Sequence, residues 1–214
     1  MIRVALPGGR LSSQSRHLLT QLVPGARTDT RRYAFTRGDG ALEVLLLKVP
    51  DIPTAVERGH VDVAVASDEW IAETGCEIRV LDPLCWYHVT ISLLAPQHHT
   101  VATGGTYSVA TPYPRLAARL LPATASITTI AGAVEAYPGR FTDTALDCVE
   151  TGGTAAANGL VVVRELMRAD VRIVVGAHTD VSHPLVREVI SVMQATAVHP
   201  DCDFGALNES VIPR

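Results

Sequence analysis

Short apolar runs alternate with amphipathic stretches along almost the whole chain. Residues 2–6 read as a buried strand, and residues 11–22 follow as a helix with Leu11, Leu18, Leu19 and Leu22 on one side. Residues 41–48 are a strongly apolar strand. Asp51 then precedes Ile52-Pro53, and the stretch up to Gly59 predicts a helix capped by the Asp and ended by the Gly. Residues 61–66 are the next buried strand, and 89–95 a longer one ending at Pro96. The polar, glycine-containing stretch 98–105 predicts a surface loop. A strand over 107–110, a helix over 114–121 and a strand over 126–130 come next, and Thr144-Ala145-Leu146 ends another buried strand. Two more strands are expected at 160–166 and 171–175. Ser182-His183-Pro184 marks a helix start with Pro in the first turn, and that helix is expected to reach Ala197. From His199 the pattern dissolves into what reads as a loosely packed tail. Strands alternating with helices imply an α/β fold with largely parallel sheets. No repeat and no linker composition marks a domain boundary.

Composition narrows the picture. A chain of 214 residues, 47% hydrophobic and 19% charged, can form one large or two small domains with a proper core. Its net charge of −4 argues against nucleic acid as a general partner, and any polyanion site must concentrate its cations locally. No apolar run approaches the length of a membrane span. The amino end starts directly on an apolar strand pattern without a charged-then-apolar leader, so the cytoplasm is the expected compartment. Cys76, Cys85, Cys148 and Cys202 form no C-x-x-C pair, which predicts free, mostly buried thiols. Adjacent His98 and His99 cannot both aim at one ion and have no third ligand nearby, and His183 is equally alone, so no metal constellation is expected.

The chemistry concentrates in Asp147-Cys148-Val149-Glu150-Thr151-Gly152-Gly153-Thr154. A strand, a turn rich in hydroxyls and glycine, and then a helix start at Ala155 make a phosphate cradle. Successive backbone N–H groups point at one anion, and the two Thr hydroxyls add donors. Asp147 and Glu150 are misplaced for phosphate but suited to the hydroxyls of an attached sugar, so the string reads as a sugar-phosphate site. A plainer reading is a tight strand-to-helix turn that uses Gly for positive φ, with the two acids favouring the helix end. Arg10, after Pro7-Gly8-Gly9, and Lys48, closing residues 41–48, both sit at strand ends where α/β sites lie. Arg16 and Arg32 read as solvated positions.

Five ordered motifs give the chain a wider identity. Asp147-x-Val149-x-Thr151-Gly152-x-Thr154-x-x-x-Asn158-Gly159-Leu160 resembles the phosphoribosyl-pyrophosphate (PRPP) loop of the ATP phosphoribosyltransferase family, whose members open histidine biosynthesis. Val4-Ala5-Leu6-Pro7-Gly8-Gly9-Arg10-Leu11, Asp51-Ile52-Pro53-Thr54-Ala55-Val56-Glu57-Arg58-Gly59 with Asp62, Val109-Ala110-Thr111-Pro112-Tyr113-Pro114 and Gly132-Ala133-Val134-Glu135 agree in order and spacing. The resemblance spans residues 2 to about 197.

The resemblance implies a two-lobed fold like type II periplasmic binding proteins, with residues 1–92 plus 176–214 in one lobe, 93–175 in the other, and ligand held in a cleft between them. It implies transfer of the phosphoribosyl group from PRPP to a ring nitrogen of ATP. Thr151, Gly152, Gly153 and Thr154 would hold the 5-phosphate. Asp147 and Glu150 would take the ribose and the cationic transition state, and Glu135 would stand near the ribose or acceptor. Departing pyrophosphate calls for Mg²⁺ with Arg10 and Lys48; Asp51 is a helix cap first and a ligand contact second. The chain is too short for the regulatory domain of the family's long form, so the resemblance is to the short form. That form implies a hetero-oligomer with a subunit similar to histidyl-tRNA synthetase, a homo-oligomer being the other assembly considered.

The chain also departs from the family. Gly8 and Pro112 stand where the family has Lys, Leu84-Cys85-Trp86-Tyr87 replaces a small glycine-rich turn, and residues 64–68 lack the usual glycines. Loss of cations disfavours a triphosphate, while Trp86 and Tyr87 offer rings either for stacking on an acceptor or for core packing. Two alternatives therefore stand beside ATP: phosphoribosylation of another nitrogen heterocycle, and a bilobed binding protein without catalysis.

Overall fold

The computed structural model describes residues 1–28, 31–98 and 105–197. Within it the chain forms two units, Met1–Trp86 together with the chain from Asp170 onward, and Tyr87–Ala169. In chain order the elements of the first stretch are β1 (Ile2–Pro7), α1 (Ser12–Leu22), β2 (Ala34–Thr36), β3 (Leu42–Leu47), α2 (Ile52–Glu57), β4 (Val63–Ser67), α3 (Asp68–Thr74) and β5 (Arg79–Pro83). The second unit holds β6 (Val89–Pro96), β7 (Tyr107–Thr111), α4 (Pro114–Leu120), β8 (Ala125–Thr129), β9 (Thr144–Val149), α5 (Gly153–Ala157) and β10 (Leu160–Ala169). The chain then completes the first unit with β11 (Val171–Val175) and α6 (Pro184–Gln194).

The first unit is built on a six-stranded sheet in the order β2-β3-β1-β4-β11-β5. Its middle strands are covered on both faces, which is why they read as unbroken apolar runs: Val4, Ala5 and Leu6 of β1 and all of β4 are buried. β1 pairs in parallel with β3 and β4. α1 lays Leu18, Leu19 and Leu22 into the core, each contributing about 1.5–3 kcal/mol of burial. Three elements, β2, β5 and α3, carry weak apolar patterns and escaped the sequence reading. β5 is an edge strand with mostly half-exposed positions, and α3 buries Asp68, Glu69 and Glu73. Asp68 is held by Arg172, whose Nε donates to Oδ1 at 2.7 Å, and by the Asp170 N–H, which donates to Oδ2 at 3.1 Å. Burial pushes the Asp68 carboxyl up, with Arg172 pulling the other way.

The second unit has the sheet order β10-β6-β9-β7-β8. β7 is parallel to β8 and β9, whereas β6 is antiparallel to both β9 and β10. The sheets are thus mixed rather than largely parallel. Among the described residues four strand pairings are parallel and five antiparallel. The chain path accounts for part of this, because β6 brings it into the unit and β10 takes it out, so the two neighbours must run in opposite directions. β10 is an edge strand that extends past the expected end at Leu166, with two register shifts along its pairing with β6.

Other expectations need correction. β9 runs on through Val149, so Asp147 is a strand residue rather than the first residue of the turn. Asp51 ends a 3-10 turn (Val49–Asp51) and its side chain caps nothing. α6 is capped by His183, whose Nδ1 accepts the Leu185 N–H at 3.2 Å, and it ends at Gln194. Trp86 and Tyr87 are buried, and the Trp86 Nε1–H donates to the Thr196 carbonyl at 3.2 Å, so this pair packs the core instead of presenting rings to a ligand. Cys76 and Cys148 are free thiols, but Cys85 is disulfide-bonded. Most of the loop expected at 98–105, with His99, and the tail from His199, with Cys202, lie outside the described residues.

Candidate active site

In the second unit, the parallel strands β7, β8 and β9 all end at one edge of the sheet, the edge where α/β folds bind ligands. Loops leaving that edge interlock. The Ile130 N–H donates to the Thr111 carbonyl at 2.9 Å, and the Tyr113 N–H to the Thr111 hydroxyl at 3.0 Å. After β9 the chain turns at Gly152, whose backbone is left-handed (φ 75°, ψ 0°), and enters α5. A Cβ at Gly152 would meet no atom within 4 Å, so the left-handed backbone, not crowding, calls for glycine there. The Gly153 N–H leans on the Thr151 hydroxyl at 3.4 Å, and the Gly152 carbonyl receives the Ala156 N–H at 2.9 Å. Thr151, Gly153 and Thr154 are exposed, leaving this short turn open to solvent.

The carboxylates gather around this turn. Asp147 is half-buried on β9, on the face it shares with Ala145 and Val149, and its Oδ1 accepts the Cys148 N–H at 2.7 Å. Glu150 is exposed in the turn itself. Glu135 is half-buried in a 3-10 turn, Val134–Ala136, that follows β8. Val134 packs in one cluster with Ala145 and with Ala155 of α5, so the turn bearing Glu135 is joined to the 147–154 region by a shared apolar core. Immediately before it, Ala133 adopts φ 50° and ψ 40°. A non-glycine residue in that region is strained by about 1–3 kcal/mol and such strain concentrates at functional turns. Nothing in the sequence of Gly132-Ala133 announced it.

The first unit presents a different kind of site. Where β1 and β3 end side by side, the Gly8 N–H donates to the Leu47 carbonyl at 2.8 Å and the buried Ser15 hydroxyl to the Pro7 carbonyl at 2.6 Å. Beside these bonds lies a cavity of about 530 Å³ lined by Arg10, Arg16 and Lys48, with Tyr33, Ser12 and an apolar wall of Leu46, Leu47, Val49 and Pro50. Arg10 and Lys48, 38 residues apart in sequence, are thereby brought together by the parallel pairing of β1 with β3. Arg16, read from sequence as a solvated position, belongs to this lining and donates to the Thr28 carbonyl at 3.0 Å. Tyr33 was not singled out at all; its short flanking strand has too weak a pattern to place it beside β3. Asp51 is exposed one residue past the lining, and Arg32 is exposed beside Tyr33. Among the described residues no group of three His, Cys, Asp or Glu side chains stands close enough to hold a metal ion.

Comparison with known proteins puts these features in a family. The sequence model of the ATP phosphoribosyltransferase family matches residues 48–195. An ATP phosphoribosyltransferase from Pyrococcus furiosus is 31% identical over 173 residues, covering 78% of this chain and 83% of that protein. Among solved structures, the ATP phosphoribosyl transferase (HisG:HisZ) complex from Thermotoga maritima contains a chain that matches with a TM-score of 0.77 at 20% identity, covering 92% of this chain and 98% of that one. The GluR0 ligand-binding core from Nostoc punctiforme, crystallised with L-glutamate, matches with a TM-score of 0.58 at 16% identity over 92% of this chain and 95% of that one. These structural likenesses bear on fold, and they agree with a type II periplasmic-binding-protein-like α/β architecture.

Proposed function

The chain belongs to the ATP phosphoribosyltransferase family, and we propose that it catalyses that family's reaction: PRPP and ATP give phosphoribosyl-ATP and pyrophosphate, the first step of histidine biosynthesis. The observation that carries the reading is the family match itself, which includes both the 147–154 loop and Lys48. In this reaction a bond forms between a ring nitrogen of the adenine and the anomeric carbon of PRPP, and the bond from that carbon to the pyrophosphate oxygen breaks. Positive charge builds on the ribose as the two bonds exchange.

The roles of individual residues follow from their chemistry. The left-handed Gly152 and the exposed Thr151, Gly153 and Thr154 suit the 5-phosphate, which needs N–H and O–H donors on an open turn. Asp147 accepts the ribose hydroxyls and places negative charge beside the developing cation, aided by Glu150. Glu135, joined to the same core, sits on the ribose or acceptor side of the loop. Arg10, Lys48 and Arg16 receive the polyphosphate charge, and Asp51 borders them. Mg²⁺ would come with the substrate, held by the hard oxygens of its pyrophosphate. A subunit similar to histidyl-tRNA synthetase completes the assembly, a reading supported by likeness to the HisG:HisZ complex. Cytoplasmic location accompanies these substrates. Among the described residues no helix is long and apolar enough to cross a membrane.

Pyrophosphate release from PRPP and Mg²⁺ tests the reading directly, with ATP compared against a panel of nitrogen heterocycles, with and without the partner subunit. Formation of phosphoribosyl-ATP is expected. Turnover of another base but never of ATP would support the second reading, which Gly8 and Pro112 favour by removing cations from the acceptor side. Binding of PRPP with no turnover under any condition would leave a binding protein.

A further inference from the structure

Tyr33 precedes β2 and is tied to β3 through its backbone. Its carbonyl accepts the Leu46 N–H at 2.8 Å, which fixes the backbone against β3. The residue also lines the cation-lined cavity and is 72% exposed. An aromatic ring that size buries a large area when covered, and leaving it in water forgoes that gain.

The cavity combines two chemistries. Arg10, Arg16 and Lys48 suit a polyanion, while Tyr33 with Leu46 and Leu47 forms an apolar, partly aromatic wall. Pyrophosphate alone uses only the first. A nucleotide uses both, its phosphates on the cations and its flat base on the ring, and about 530 Å³ falls within the range of pockets that take ligands of this size.

We propose that Tyr33 is the stacking surface for the purine ring of the acceptor nucleotide, and so decides that this cavity takes a nucleotide over a bare polyphosphate. The inference rests on ATP being the acceptor. Stacking needs only the ring, so the phenol hydroxyl is dispensable, and the contact is independent of the phosphate loop.

The test measures KM for ATP, KM for PRPP and inhibition by inorganic tripolyphosphate, in the full chain with its partner subunit. Wild type is compared with Tyr33→Phe and Tyr33→Ala. Because the side chain is exposed, both variants should fold, and circular dichroism checks this. Tyr33→Ala is expected to raise the KM for ATP by roughly fivefold or more, leaving tripolyphosphate inhibition and the KM for PRPP unchanged. Tyr33→Phe is expected to behave as wild type. An unchanged ATP KM in Tyr33→Ala overturns the proposal, as does a Phe variant as impaired as the Ala variant. Tripolyphosphate inhibition weakening in step with ATP overturns it too, because Tyr33 would then be reading phosphate. If wild type makes no phosphoribosyl-ATP, the functional reading fails and this one with it; an active wild type with an indifferent Ala variant removes Tyr33 alone.

Discussion

The two candidate sites are built on opposite plans. In the 147–154 loop the proposed binding groups are consecutive in the chain, and on that proposal much of the recognition falls to backbone N–H groups around the left-handed residue Gly152. In the first unit, the cavity draws side chains from three separate segments, residues 7–16, Tyr33 and residues 46–50, held together by β1–β3 pairing. A backbone cradle depends little on side-chain identity, since every residue type except Pro presents the same N–H and mainly the φ requirement selects. A side-chain cavity can change one residue at a time.

The comparison breaks most sharply at Asp147. Its charge matters when the ribose becomes cationic, so Asp147→Asn should lower kcat by about 100-fold or more while shifting PRPP affinity far less. Single-turnover kinetics alongside calorimetry would separate the two, and near-normal turnover would remove Asp147 from the mechanism. Next in size is Gly152→Ala. A side chain at φ 75° costs about 1–2 kcal/mol; the exposed turn relaxes to avoid it, so PRPP binding, which must restore the left-handed backbone, should weaken roughly fivefold to thirtyfold with little change in the melting temperature of the fold. Unaltered PRPP affinity in a folded variant would contradict the backbone-cradle plan.

Side-chain recognition predicts a softer response. Lys48→Ala should raise the KM for ATP by about tenfold, the scale of one charged contact, and high salt should shrink the gap between variant and wild type. A salt-independent defect would argue for a packing role instead. The smallest effect is expected at Trp86, which sequence alone left open as an acceptor platform. Trp86→Phe removes the bond to the Thr196 carbonyl and should lower the melting temperature by about 2–4 °C, with the KM for ATP unchanged. A clear change in that KM would return Trp86 to the acceptor site.

Legibility followed the same division. The elements dominated by apolar residues, β1, β4, β6 and β11, were readable because strands buried along most of both faces are mostly apolar, and β3 because five of its six residues are apolar. α3 was not, since its helix carries buried acids that look like surface, and Asp68 is tolerable there because Arg172 and the Asp170 N–H meet it. β5 and β2 were hidden for the opposite reason, edge positions exposing half their residues. At the candidate site, the loop from Asp147 to Thr154 could be recognised as a string, whereas Arg16 and Tyr33 could not, their neighbours in the cavity being distant in sequence.

By itself, then, the sequence determined the α/β class, the family, and the local turn that can hold a phosphate, because each depends on short-range pattern: apolar runs, glycine at a left-handed position, hydroxyls beside it. Tertiary structure decided which cations share a cavity, that Trp86 and Tyr87 are core residues, and that Tyr33 stands exposed at the cavity wall. Those facts depend on which strands pair and in what register, and pairing joins residues that no local pattern connects.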